Sequence, residues 1–162
     1  MMKNILNSVV FMSLFTGCGI DYRDNPRCEQ YAFMSFKEFR ASVKVEKAKE
    51  IEDAGKIYVY GDTLLVNEKR KGIHVIDNRD KNNPLNLSFI SVLGNYDIAV
   101  KDGYLMVDSF MDLVTIDIND LEKIKEVNRT KNIFAYEAPY NYGCNFDLTK
   151  GLLVGEGDEY VY

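Results

Sequence analysis

Residues 56 to 67, KIYVYGDTLLVN, return about 40 positions later as DIAVKDGYLMVD, residues 97 to 108. An internal period constrains a fold more tightly than any composition, because each unit must bury the same apolar side against a neighbour. The correspondence continues past these stretches. GIHVID (72 to 77) is echoed by LVTID (113 to 117), and PLNLSFISVL (84 to 93) by LEKIKEVNRT (121 to 130). Val59 aligns with Val100 and Asp77 with Asp117, with one residue of slack around Lys69 to Lys71.

Each unit contains four short runs of strand-forming residues with period-two alternation, separated by turn residues. Asp102–Gly103 sits between two such runs, and Gly61–Asp62 holds the matching place in the first unit. Glycine there tolerates the positive φ that tight hairpin turns demand. Helical repeats of similar length are disfavoured by the β-branched content. Four antiparallel strands in about 40 residues make the blade of a β-propeller. The expected fold is therefore all-β: a partial β-propeller of about two to three four-stranded antiparallel blades in an incomplete ring, preceded by a signal helix. A small β-sandwich is the alternative. The expected organisation is a leader over 1–17, a tether with some local structure over 18–55, a first unit over 56–96 and a second over 97–135. The start of a further, truncated unit follows over 136–162.

The ordered motifs GKIYV, LLVNE, KGIHVID, NPLNL, GNYDIAVK, LMVDS and DLVTIDI resemble the LVIVD-repeat proteins, bacterial lipoproteins and surface proteins with a β-propeller fold. The resemblance covers about residues 50 to 135 and implies fold and location. It brings no catalytic residues.

The N-terminus, MMKNILNSVVFMSLFTGCG, places Lys3 before an apolar run from Ile5 to Phe15. That run is shorter than the roughly 20 residues a bilayer-spanning helix needs, and it has the layout of a secretory signal. Thr16-Gly17-Cys18 resembles a bacterial lipobox, although Phe15 stands where that pattern usually has Leu. The resemblance implies cleavage before Cys18 and lipidation of its thiol, so the chain is expected to be anchored to a membrane rather than threaded through it. By analogy with Gram-negative sorting, Gly19 in place of Asp favours the outer membrane. The expected location is the bacterial cell envelope.

The following tether includes SFKEFRASVKVEKAKEIEDAG. Glu46, Lys49 and Asp53 have the spacing of a short helix, whereas ASVKV reads equally as a strand. With Cys18 lipidated, Cys28 and Cys144 are left as the pair available for a disulfide in an oxidising compartment.

Chemistry-bearing motifs are sparse. A formal net charge of −5 with no basic run argues against nucleic acid as a partner. His74 is the one histidine, and alternation sets it opposite Ile73 and Val75 on the polar side of a strand, which favours a structural role over metal or general-base work. Asp77 with Asp80, and Asp117 with Asp120, recur in matching turns. Their surroundings lack the glycine of a calcium loop, so they read as residues that hydrogen-bond their own backbone. No catalytic residue, metal site or cofactor is expected. The aromatic stretch FAYEAPYNYGCNF (134 to 146) reads as edge-covering packing, with a stacking platform for sugar or peptide as the alternative.

The leading expectation is a lipid-anchored binding or scaffold module whose partners are the membrane and a protein or carbohydrate of the cell envelope. The alternatives are the N-terminal part of a propeller enzyme, a hydrolase or lyase with its catalytic residues elsewhere, and a truncated product without function.

Overall fold

The computed structural model describes residues 32–135 and 147–154. Within them the chain is predominantly β, in antiparallel sheets, with one short helix. In chain order the elements are β1 (Ala32–Met34), α1 (Phe36–Arg40), β2 (Lys44–Lys47), β3 (Ala54–Tyr60), β4 (Thr63–Glu68), β5 (Gly72–Asp77), β6 (Leu85–Ser91), β7 (Ile98–Lys101), β8 (Tyr104–Ser109), β9 (Asp112–Asp117), β10 (Lys125–Thr130) and β11 (Leu152–Val154). A 3-10 turn, Leu148–Lys150, precedes β11. The leader, Cys18, Cys28, Cys144 and the aromatic residues 136–146 lie outside the described residues.

Strands β3 to β6 form an up-and-down meander, and β2 adds to its outer edge beside β6, giving the order β2-β6-β5-β4-β3. A second meander has the order β10-β9-β8-β7. Both are built by the same local devices. Asp102 and Gly103 take φ of 52° and 80°, the left-handed pair that a type I′ hairpin requires. In the β3–β4 turn only Gly61 is left-handed, at 58°, the pattern of turns that put glycine first. Each turn then accepts a backbone bond from the residue after the third strand: Asn78 N–H donates to Asp62 O, and Ile118 N–H to Gly103 O. Each meander also has a bulge in its fourth strand, around Leu87 in β6 and around Val127 in β10.

One core joins the two sheets. Leu65, Ile73, Val75, Ile90 and Val92 of the first pack with Ile98, Leu105, Val107, Val114 and Ile116 of the second, all of them buried. Strand alternation accounts for this set, since successive side chains point to opposite faces and each sheet contributes one face. At about 25 cal/mol per Å², full burial of each such aliphatic side chain stabilises by roughly 1.5–3 kcal/mol. Tyr58 crosses the same interface, its Oη donating to Val100 O at 3.2 Å.

The segment expected as a tether is more structured than its composition suggests. Ser35 caps α1: its Oγ accepts from Glu38 N–H while Glu38 accepts from Ser35 N–H, a reciprocal capping box. The helix lies at Phe36–Arg40 and not across Glu46 to Asp53. Lys44–Lys47 takes the strand alternative, because β6 offers an unpaired edge that β2 satisfies through four residue pairs. Glu46 does pair with Lys49, but without a helix between them. A second, smaller core forms where Phe39, Met111 and Leu152 meet, flanked by Met34, Phe36, Leu93 and Phe110. Here β1 and β11 make a two-stranded sheet.

Candidate functional site

One set of groups able to do chemistry gathers at one end of the second sheet. Asp112 opens β9 and is fully buried. Arg40, the last residue of α1, donates from Nε to Asp112 Oδ2 at 2.8 Å and from Nη2 to Oδ1 at 3.2 Å. Arg129 of β10 donates from Nη1 to Oδ2 at 3.3 Å, and Asn132 N–H donates to Oδ1 at 3.0 Å. Burial alone would push the Asp112 carboxyl toward its neutral form. Arg40, the Asn132 amide and Arg129 outweigh that effect and hold its pKa below the ordinary aspartate value. Arg129 also forms a fork with Glu126, at 2.9 Å from each of two nitrogens, and stacks over the Phe39 ring. This is a neutralised, fully engaged cluster that fixes α1 and the chain after β10 onto the sheet.

A second buried carboxylate occupies the first sheet. Glu68 ends β4, and its oxygens accept from Asp53 N–H at 2.6 Å and Glu52 N–H at 3.1 Å. His74 Nε2 faces it at 3.1 Å, and the imidazole lies 4.8 Å from the Phe89 ring centroid. Burial opposes the charge on Glu68, but the two backbone donors and His74 together lower its pKa. Facing an ionised carboxylate, Nε2 carries the shared proton. The solvated side expected for His74 does not hold. Alternation does set it opposite Ile73 and Val75, but that face is not solvated at this point, and His74 is fully buried. The covering comes from the segment before β3, where Lys49 lies over Phe89 and Glu52 and Asp53 bond Glu68.

Beside the Asp112 cluster lies a groove of about 430 Å³. Its apolar lining is Phe36, Met111, Phe134 and Leu148, and its polar groups are Asn132, Asp147 and Thr149. Asp147 is already turned inward to its own loop, accepting from Thr149 N–H and Oγ1. The groove therefore offers apolar and aromatic surface with a few polar groups, the usual makeup of a recognition site.

The paired turn aspartates behave as the sequence implies. Asp77 accepts from Arg79 N–H and Asp117 from Asn119 N–H, each at 3.0 Å; Asp80 and Asp120 accept likewise from Asn82 and Glu122. These are Asx turns, with oxygens committed to backbone donors. Among the described residues, no three His, Cys, Asp or Glu side chains converge as metal ligands, and no helix is long and apolar enough to cross a membrane. Sequence reading missed Asp112, Arg40 and Arg129 because they are far apart in the chain. The Ser35-x-x-Glu38 box was the one local signal that α1 would be there to deliver Arg40. Compared with known proteins, the chain matches no family model, no curated protein and no solved structure.

Proposed function

We propose that the chain is a lipid-anchored binding or scaffold module of the bacterial cell envelope, moored through Cys18 and built from consecutive β-propeller blades. The observation that carries the reading is the pair of four-stranded meanders, alike in strand order, turn bonding and bulge, stacked on one core. Stacked meanders of this kind supply a rigid frame, and recognition surfaces are grafted onto its ends and loops. Two further features favour binding. The buried charges at the end of the second sheet are consumed in holding α1 and residues 131–134 in place. The groove they frame has an aromatic and aliphatic floor, suited to a peptide or carbohydrate of the envelope.

The test has two arms. Cells fed a fatty-acid probe should label the wild-type chain and not Cys18→Ser, which should move to the soluble fraction; a free amino terminus without fatty acid contradicts the anchor. Pull-down from detergent-solubilised membranes should recover a partner with the wild-type chain and lose it with Phe134→Asp, an exposed groove position. Recovery of the same partner with both contradicts the groove as its site.

A further inference from the structure

The interface between the two sheets is directional. The first sheet presents Tyr58, Leu65, Ile73 and Val75, and the second answers with Ile98, Val100, Leu105 and Val107. Strand alternation and the sequence correspondence place those four second-sheet residues at the positions that Ile57, Val59, Leu64 and Val66 occupy in the first sheet. The first sheet thus carries, on its other face, the same apolar set that the second sheet buries. Ile98 is 1% exposed, but its counterpart Ile57 is 59% exposed and Val59 is 65% exposed. Conversely, Ala99, Met106, Leu113 and Thr115 of the second sheet stand where Tyr58, Leu65, Ile73 and Val75 stand in the first. The β3–β4 part of the first sheet's outer face, with Val66 of that set already buried at 4%, and the outer face of the second sheet therefore match in position the two sides of the interface already formed inside the chain.

Charge follows the same logic. Lys56 Nζ bonds Asp97 Oδ1 at 2.7 Å across the interface, and Lys56 and Asp97 are themselves matched positions. A second copy seated in the same manner sets its Lys56 beside this copy's Asp97, whose side chain stays 70% exposed.

We infer that the chain self-associates head to tail, the face of the first sheet that the described residues leave uncovered in one copy seating on the face of the second sheet that they leave uncovered in another. The segment over His74 and Phe89 covers the outer half of the first sheet, so contact centres on the β3–β4 half around Ile57, Val59 and Leu64. Such an interface is heterologous: it joins unlike faces and either closes into a ring or propagates. The inference rests on the packing of the two sheets and is independent of the lipid anchor and of the groove.

Sedimentation velocity of the full chain in mild detergent, over rising concentration, tests it. The wild-type chain should reach species of two or more copies. Val59→Asp and Ala99→Asp, both at exposed positions, should each sediment as single chains with unchanged circular dichroism. An equimolar mixture of the two should recover a species of about twice the single-chain mass, because each variant keeps one intact face and only unlike faces pair. A wild-type chain that stays single at every concentration overturns the inference. So does association that neither variant disturbs, or a mixture that stays single.

Discussion

The first and second sheets share a backbone plan and differ where other parts of the chain cross them. On the face that looks away from its partner, the first sheet carries Gly72, His74 and Phe89. At the positions the strand pairings match to these, on its buried face, the second sheet has Asp112, Val114 and Arg129. His74 pairs with Phe89 and Val114 with Arg129, so the fourth strands align Phe89 with Arg129 and not, as the sequence correspondence of 84–93 with 121–130 has it, with Glu126. Each polar departure sits under a crossing segment. Residues 48–53 cross the first sheet, and Glu68 takes two of their backbone N–H groups. Helix α1 and residues 131–134 cross the end of the second, and Asp112 takes the Asn132 N–H and the Arg40 guanidinium. Turns and alternation set the sheets, while a buried carboxylate in each clamps the irregular chain to it. A buried carboxylate is costly unless every lone pair is engaged, which ties each clamp to its own segment.

The second clamp carries the largest expected loss. Asp112→Ala leaves Arg129, nearly fully buried, without one of its partners and should lower unfolding free energy by about 3–5 kcal/mol in chemical denaturation. Ile98→Ala should cost about 2–5 kcal/mol through the cavity it leaves. Its counterpart Ile57→Ala, measured in the dissociated chain, should cost about 0.5 kcal/mol or less. Equal losses at the two positions would contradict the assignment of one to the core and the other to the surface. Acid acts on both clamps. Folding lowers the pKa of Glu68 and Asp112, so the stability they contribute is fully present above the ordinary carboxylate value of about 4 and is lost as pH falls below it. The melting temperature should drop on acidification below about pH 5, and Asp112→Asn should flatten part of that drop. The smallest effects belong to the bulges. Leu87 and Val127 are equally exposed, so replacing either by Ser should change stability by about 0.5 kcal/mol or less.

What could be read from the sequence was local. Alternating apolar residues and Asp102–Gly103 specify strands and a hairpin within a few positions, and the turn aspartates announce their own backbone bonds. Residues 44 to 53 were ambiguous because Glu46 and Lys49 can meet both in a helix and around the end of a strand. The open edge of β6, about 40 residues away, decided the matter. His74 was set on the correct face, but whether that face is wet depends on residues 48–53 crossing it. The Asp112 cluster was illegible, since Arg40 is 72 positions from its partner and carries no local mark of it. Long-range pairing of charges obeys no period, which is why the groove beside it could not be foreseen either.

Native-state hydrogen exchange on the full chain measures most directly whether the two sheets share one core. The amides of β4 and β5 and those of β8 and β9 should open at one common, slowest free energy, and Ile73→Ala should lower that value in both sheets together. Two separate plateaus, with the second sheet unmoved by a truncation in the first, would contradict the account.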